Sequence, residues 1–220
     1  MSLEERFKSA LSGNYDDIYY IYDWINDKYI PENAKIELLF LKYDDMANPI
    51  FLFLKGFVRA QYTGVGDGID RGMGIEMILG SSSMGFGLAS VELGSHYYAQ
   101  WHPDQSMADS FKYINKGISE GCSFGYIRLA QFYKDDDLRY KYYKIAMELK
   151  VPNSEYYFYE YVKHKQEHYP EYIRYFIKKH INDKEYSFEK GLAMQLNDRT
   201  VLKEALKTND IYSGIIETFL

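Results

Sequence analysis

His164-Lys165-Gln166-Glu167-His168 has the spacing H-x-x-E-H. On a helix it sets two imidazoles about one turn apart, able to share a zinc ion while the glutamate acts as a base. A zinc-dependent hydrolase would use His164, Glu167 and His168, and that is the alternative function this chain must be tested against. Three features oppose it. Tyr169 precedes Pro170, which drives it out of helical geometry just as the second histidine is reached. No glutamate-bearing motif downstream stands out as a third ligand. Lys163 and Lys165 place positive charge beside the proposed cation.

Other groups with chemical promise have structural explanations. Gly64, Gly66, Gly68, Gly72 and Gly74 crowd one stretch, but no strand pattern precedes them and no Gly-Lys-Ser/Thr closes them, so neither a dinucleotide loop nor a P-loop is present. Asp67 and Asp70 miss the spacing of a calcium loop. Ser81 to Ser83 sit where a helix should end, with no histidine in a recognisable triad context. Cys122 is the only cysteine, which excludes an internal disulfide and a cysteine-rich zinc site. A buried thiol is its expected state. No metal, cofactor or catalytic group is therefore assigned.

The elements that carry these residues repeat. Leu93-Gly94-Ser95-His96-Tyr97 returns 36 residues later as Leu129-Ala130-Gln131-Phe132-Tyr133, and the same step carries Gly85 to Gly121 and Ser81 to Gly117. A fixed period of this length signals stacked helical hairpins. The spacing predicts leading helices from Pro49 to about Tyr62, from 86 to about Ala99 and from 122 onward, each followed by a second helix. Gly94, Gly117 and Gly121 are expected to be small so that helices can approach closely. The units are 49–85, 86–121 and 122–150. The last is shorter because Asp135-Asp136-Asp137 alone separates its helices. A degenerate fourth unit and a helical cap fill 151–220. Residues 1–48 read as three helices forming an acidic N-terminal cap. No strand periodicity occurs, so the fold class is all-α.

Ala89, Leu93, Gly94, Tyr97, Lys116, Gly117 and Gly121, then Gly125, Leu129, Tyr133 and Ala146, together with the Gly64, Gly66 and Asp70 loop, resemble the Sel-one-like repeat family of the tetratricopeptide superfamily. The resemblance covers 49–150 well and 151–181 faintly. It implies an α-solenoid of stacked antiparallel helix pairs acting as an adaptor or scaffold for a protein or peptide, without chemistry of its own. If the array is built as in that family, the leading helices line a concave face. The columns pointing into it are Lys55, Val91 and Ile127; Arg59, Ser95 and Gln131; and Tyr62, Tyr98 and Lys134. Trp101, in the loop after the second leading helix, is a further contact candidate.

The 24 tyrosines suit both packing and contact, since each joins an apolar ring to a polar tip. The net charge of −6 belongs to the N-terminal segment, where residues 1–48 hold ten acidic and five basic side chains. An acidic chain without a basic block lacks the footprint of a duplex nucleic-acid binder. The basic face of the fourth unit, Lys163, Lys165, Arg174, Lys178, Lys179 and Lys184, is interrupted by Glu167, Glu171 and Asp183. The start has no secretory pattern and no apolar run reaches bilayer length, so a soluble cytoplasmic protein without membrane attachment is expected. Self-association through uncovered ends of the array is a third reading, structural in kind.

Overall fold

The computed structural model describes residues 1–27, 33–61, 68–99 and 107–162. Among them are ten helices and no strand: α1 (Leu3–Leu11), α2 (Tyr15–Asp27), α3 (Asn33–Lys42), α4 (Pro49–Gln61), α5 (Gly68–Ser83), α6 (Gly87–Tyr98), α7 (Met107–Ser119), α8 (Gly125–Phe132), α9 (Asp136–Glu148) and α10 (Ser154–Val162). The chain divides into a unit spanning residues 1–154 and a second spanning 155–220. Of the second, only the rest of α10 is described. Everything below concerns the first.

Local chemistry explains where these helices start. Ser2 caps α1 in a reciprocal box with Glu5: its hydroxyl accepts from the Glu5 amide at 3.2 Å, and its own amide donates to the Glu5 carboxylate at 2.6 Å. Asn48 accepts from the amides of Ile50 and Phe51 ahead of α4, whose first residue, Pro49, has no amide to satisfy. Asp135 accepts from the Leu138 amide at 2.9 Å, so the three aspartates between α8 and α9 divide into one cap and two first-turn acids.

Four helices end alike. The amides of Asn14, Phe86, Cys122 and Val151 reach back five residues to the carbonyls of Ser9, Ser81, Gly117 and Ala146. The residue before each amide is left-handed: Gly13, Gly85 and Gly121 at φ between 86° and 93°, and Lys150 at φ 55°. Gly121 therefore corrects its expected role. Nothing lies within 4 Å of where its Cβ would be, so it serves a backbone turn and not a close approach.

Gly94 and Gly117 do mark close approaches. A Cβ on Gly94 would fall 2.5 Å from Ile114 Cγ1 and 2.7 Å from the Ser110 carbonyl; one on Gly117 would fall 2.5 Å from the Gly87 carbonyl. Gly56 and Gly74 make the same kind of contact between α4 and α5. Ser81 and Ser110 occupy such positions by donating to the Pro49 and Gly94 carbonyls, each at 2.7 Å. The facing partners correct the register of α4. Gly56 meets Gly74 as Gly94 meets Ser110, and Ser81 meets Pro49 as Gly117 meets Gly87. Second helices are thus 36 residues apart (74 to 110, 81 to 117), whereas first helices are 38 apart (56 to 94, 49 to 87). The span between facing positions is 18 residues in the α4–α5 pair (56 to 74) and 16 in the α6–α7 pair (94 to 110), so a uniform 36-residue step misaligns Lys55 and Arg59 with their counterparts on α6.

α4 packs on α5, α6 on α7 and α8 on α9, with α5 against α6 and α7 against α8 joining successive pairs. The N-terminal helices divide. Phe7 of α1, Phe40 of α3 and Phe51 of α4 meet edge to face with centroids 5.6 Å apart, closing one end. α2 extends further than an end cap. It packs on α1, where Asp17 pairs with Arg6 at 2.8 Å, and its Tyr22 reaches α4, α6 and the start of α8.

Candidate partner-binding site

The first helices α4, α6 and α8 carry most of the residues singled out for contact, and α2 lies on them. Ile18, Ile21, Tyr22 and Ile25 recur at helical spacing and are buried together. The Tyr22 ring packs on Phe57 at 4.7 Å and on Phe53 and Phe124 at 6.2 Å. Beside it the Tyr19 ring lies 6.1 Å from Phe124, and its hydroxyl is 3.7 Å from the Cys122 thiol. Burial pushes that thiol up to about 11, so it is an inert neutral group at neutral pH.

A buried polar network lies under α2. The Tyr22 hydroxyl donates to Glu92 Oε1 at 2.6 Å, Arg128 Nη2 donates to both groups at 3.2 Å, and Arg128 Nη1 donates to Gln131 at 3.1 Å. Burial opposes the charge of Arg128, but the Glu92 carboxylate outweighs it and holds the guanidinium protonated. His96, one turn beyond Glu92, is buried too. Desolvation holds its pKa below the ordinary 6.5, with Arg71 and Arg128 acting in the same direction and Glu92 against it. The sequence analysis missed this network. Its signal was a lone glutamate inside the apolar run Leu88 to Leu93, with an arginine exactly one 36-residue step later.

A second network joins α5, α6 and α7. Lys116 Nζ donates to the Ser82 carbonyl at 2.5 Å and to the Ser82 hydroxyl at 2.8 Å, and it pairs with Glu120 at 3.0 Å. Ser90 bridges Ser82 and Glu120 at 2.8 and 2.6 Å. A serine beside a lysine can make a nucleophile. Here both hydroxyls are buried and the ammonium is occupied by acceptors, so the cluster closes the C-terminal end of α5.

The nine contact candidates separate on this frame. Val91 and Ile127 are fully buried and are corrected: neither lines an open surface. Val91 lies over two glycines, its Cγ2 at 2.6 Å from a Cβ on Gly117 and 3.3 Å from one on Gly125. Lys55 is tied to Asp44 at 2.9 Å, and Arg59 Nη1 is 3.6 Å from the Met77 sulfur. Ser95 donates to its own helix, at the Val91 carbonyl. Tyr98, Gln131 and Lys134 gather at the C-terminal ends of α6 and α8, where the Tyr98 and Phe132 rings stack at 3.8 Å, 4° from parallel. Tyr98, Gln131 and Phe132 are half-buried and Lys134 is exposed, forming a ledge of aromatic, amide and basic groups. Tyr62, Trp101 and the 164–168 motif lie outside the described residues.

Among the described residues no group of three or more His, Cys, Asp or Glu side chains could hold a metal ion, and no helix is long and apolar enough to cross a membrane. Compared with known proteins, the chain matches no protein-family model, no curated protein and no solved structure.

Proposed function

We propose that this chain is an α-solenoid of Sel-one-like repeats with helical caps, working in the cytoplasm as a non-enzymatic scaffold that holds a protein or peptide along the first helices of its pairs. One observation carries this proposal: α4, α6 and α8 together seat a side chain of another helix, Tyr22 of α2, with its ring on Phe53 and Phe57 and its hydroxyl on Glu92 and Arg128. A face that seats such a side chain has the aromatic lining and polar anchor that helix-in-groove recognition uses. The ledge of Tyr98, Gln131, Phe132 and Lys134 continues α6 and α8 with the mixed composition of a contact surface. The helix pairing, the glycine contacts and the recurring left-handed turn after α5, α7 and α9 support the repeat assignment.

The test is affinity capture from a lysate of the source, comparing the wild-type chain with an Arg59→Glu, Tyr98→Ala, Lys134→Glu variant whose helix content is checked by circular dichroism. Loss of one specific protein from the folded variant is the expected result. Retention of every partner would remove this face as the contact surface.

A further inference from the structure

We infer that the outer face of α3 is an interaction surface for a second copy of this chain, and that two α3 helices pair side by side and parallel across a two-fold axis. The inference does not rest on the face of α4, α6 and α8 and goes beyond the scaffold function proposed above.

The two sides of α3 differ in what they touch. Ile36, Leu39 and Phe40 are buried, and the Phe40 ring seats the helix on Phe7 and Phe51 at the end of the array. Leu38 and Leu41 project from the opposite side and are 66% and 78% exposed. A helix that caps a repeat array has to turn a polar face outward, because an apolar one invites further protein. Here the centre of the outward face is two leucines one turn apart, and the charged residues stand at its edges.

Those edges identify the partner. At about 100° per residue, Lys35 and Lys42 line one edge of the leucine pair and Glu37 lines the other, all three of them exposed. Leu38 and Leu41 take the a and d positions of a heptad, Glu37 is the g that precedes them and Lys42 the e that follows. When two such helices pair in parallel, the g residue of each copy meets the e residue of the other, so one dimer makes the Glu37–Lys42 contact twice. Antiparallel pairing sets like edges together, lysines against lysines and Glu37 against Glu37. The pattern therefore complements itself in one orientation and opposes the other. Glu37 makes no hydrogen bond or ion pair among the described residues, so nothing has to release it. Lys42 is held to Glu4 at 2.9 Å in an exposed pair, and Glu4 keeps Lys8 at 3.3 Å and Tyr43 when Lys42 turns outward. A helix of ten residues is about 15 Å long, so the contact is small and the dimer weak and concentration-dependent.

Sedimentation equilibrium of the full chain over a concentration series tests this, using the wild type, Leu41→Glu, Glu37→Lys, Lys42→Glu and an equimolar mixture of the last two. Circular dichroism checks the helix content of each. The wild type is expected to dimerise and Leu41→Glu to stay monomeric. Glu37→Lys and Lys42→Glu each bring like charges together twice, and each should weaken the dimer about tenfold. Mixing them should restore association to the wild-type level, because each chain then meets the opposite charge at both positions of the other. A wild type that stays monomeric at every concentration would overturn the inference and leave the leucines to a different protein. A dimer that survives Leu41→Glu would put the contact on another face, and a mixture no better associated than its components would exclude the parallel pairing; either result overturns the inference. The charge variants keep both leucines and alter only exposed side chains, so the test stands even where Leu41→Glu disturbs folding. None of these residues belongs to the variant used for affinity capture, so the two experiments fail separately.

Discussion

Lys150 occupies the turn position that Gly85 and Gly121 fill in the preceding units, and it is left-handed there at φ 55° with its side chain exposed. A non-glycine residue in that region costs about 1–2 kcal/mol, and glycine returns about 0.5–1 kcal/mol of this through the freedom it has when unfolded. Lys150→Gly should therefore raise stability by about 0.5–1 kcal/mol in urea unfolding. Gly94→Ala should act in the opposite direction, by about 1–3 kcal/mol, because its methyl group meets the Ser110 carbonyl and Ile114 at under 3 Å. Acid should act through His96 and Glu4. Burial lowers the His96 pKa, so below 6.5 the unfolded chain binds a proton that the fold does not, and stability falls as pH drops from 6.5 to the depressed value. Glu4 accepts from Tyr43, Lys42 and Lys8, which lowers it to about 2, and its contribution is lost between pH 4.5 and about 2. Urea midpoints measured against pH should show two descending segments. His96→Gln should flatten only the upper one, and an unchanged upper segment would exclude His96 as its source.

At the scale of elements, the buried pair between α6 and α8 and the hydroxyl from α2 can be separated. Tyr22→Phe removes one hydrogen bond to a charged group, about 1.5–3 kcal/mol. Glu92→Ala leaves Arg128 buried without its counter-ion and should cost more, about 3–5 kcal/mol. Replacing both charges, Glu92→Leu with Arg128→Leu, should recover most of that loss in thermal unfolding; a double variant as unstable as Glu92→Ala would show that packing and not charge governs the site. What the sequence disclosed about these elements follows from the range of each interaction. Helix positions depend on neighbours a few residues away, and periodicity revealed them; the caps at Ser2 and Asn48 and the turn role of Gly121 are equally local but leave no mark on a repeat period. The two-residue offset of α4 did not show, because the 36-residue period was measured between α6 and α8 and between the ends of second helices, and α4 was aligned by extending it. Val91 and Ile127 were placed on a groove because each repeat was considered alone. Burial of Val91 follows from the glycines of α7 and α8 beneath it, contacts that only neighbouring helices supply. That α2 would lie on α6 and α8 had no local signal, since its apolar stripe fits any complementary face.

For the first unit as a whole, helix pairs that touch mainly their neighbours should not share one stability, since each position carries its own pair and the interfaces on either side. The closest backbone approaches, at Gly56–Gly74, Gly87–Gly117 and Gly94–Ser110, all join helices from α4 to α7. That segment also has pairs packed on both sides, whereas α8 is a helix of eight residues. α2 is held differently, by its packing on α1 with the Asp17–Arg6 ion pair at 2.8 Å, by a stripe of side chains and by the Tyr22 hydroxyl, and Cys122 lies beneath it without a covalent link. Native-state hydrogen exchange should therefore be slowest in α4 to α7 and faster in α8 and α9. The amides of Ile21, Tyr22 and Ile25 should open at a free energy below that of Phe53 or Leu93, although all five side chains are almost fully buried. Burial alone would give these residues equal protection, so the gap measures how far α2 opens independently of the helices beneath it. Equal protection of α2 and α4 would mean that the N-terminal helix unfolds only with the array.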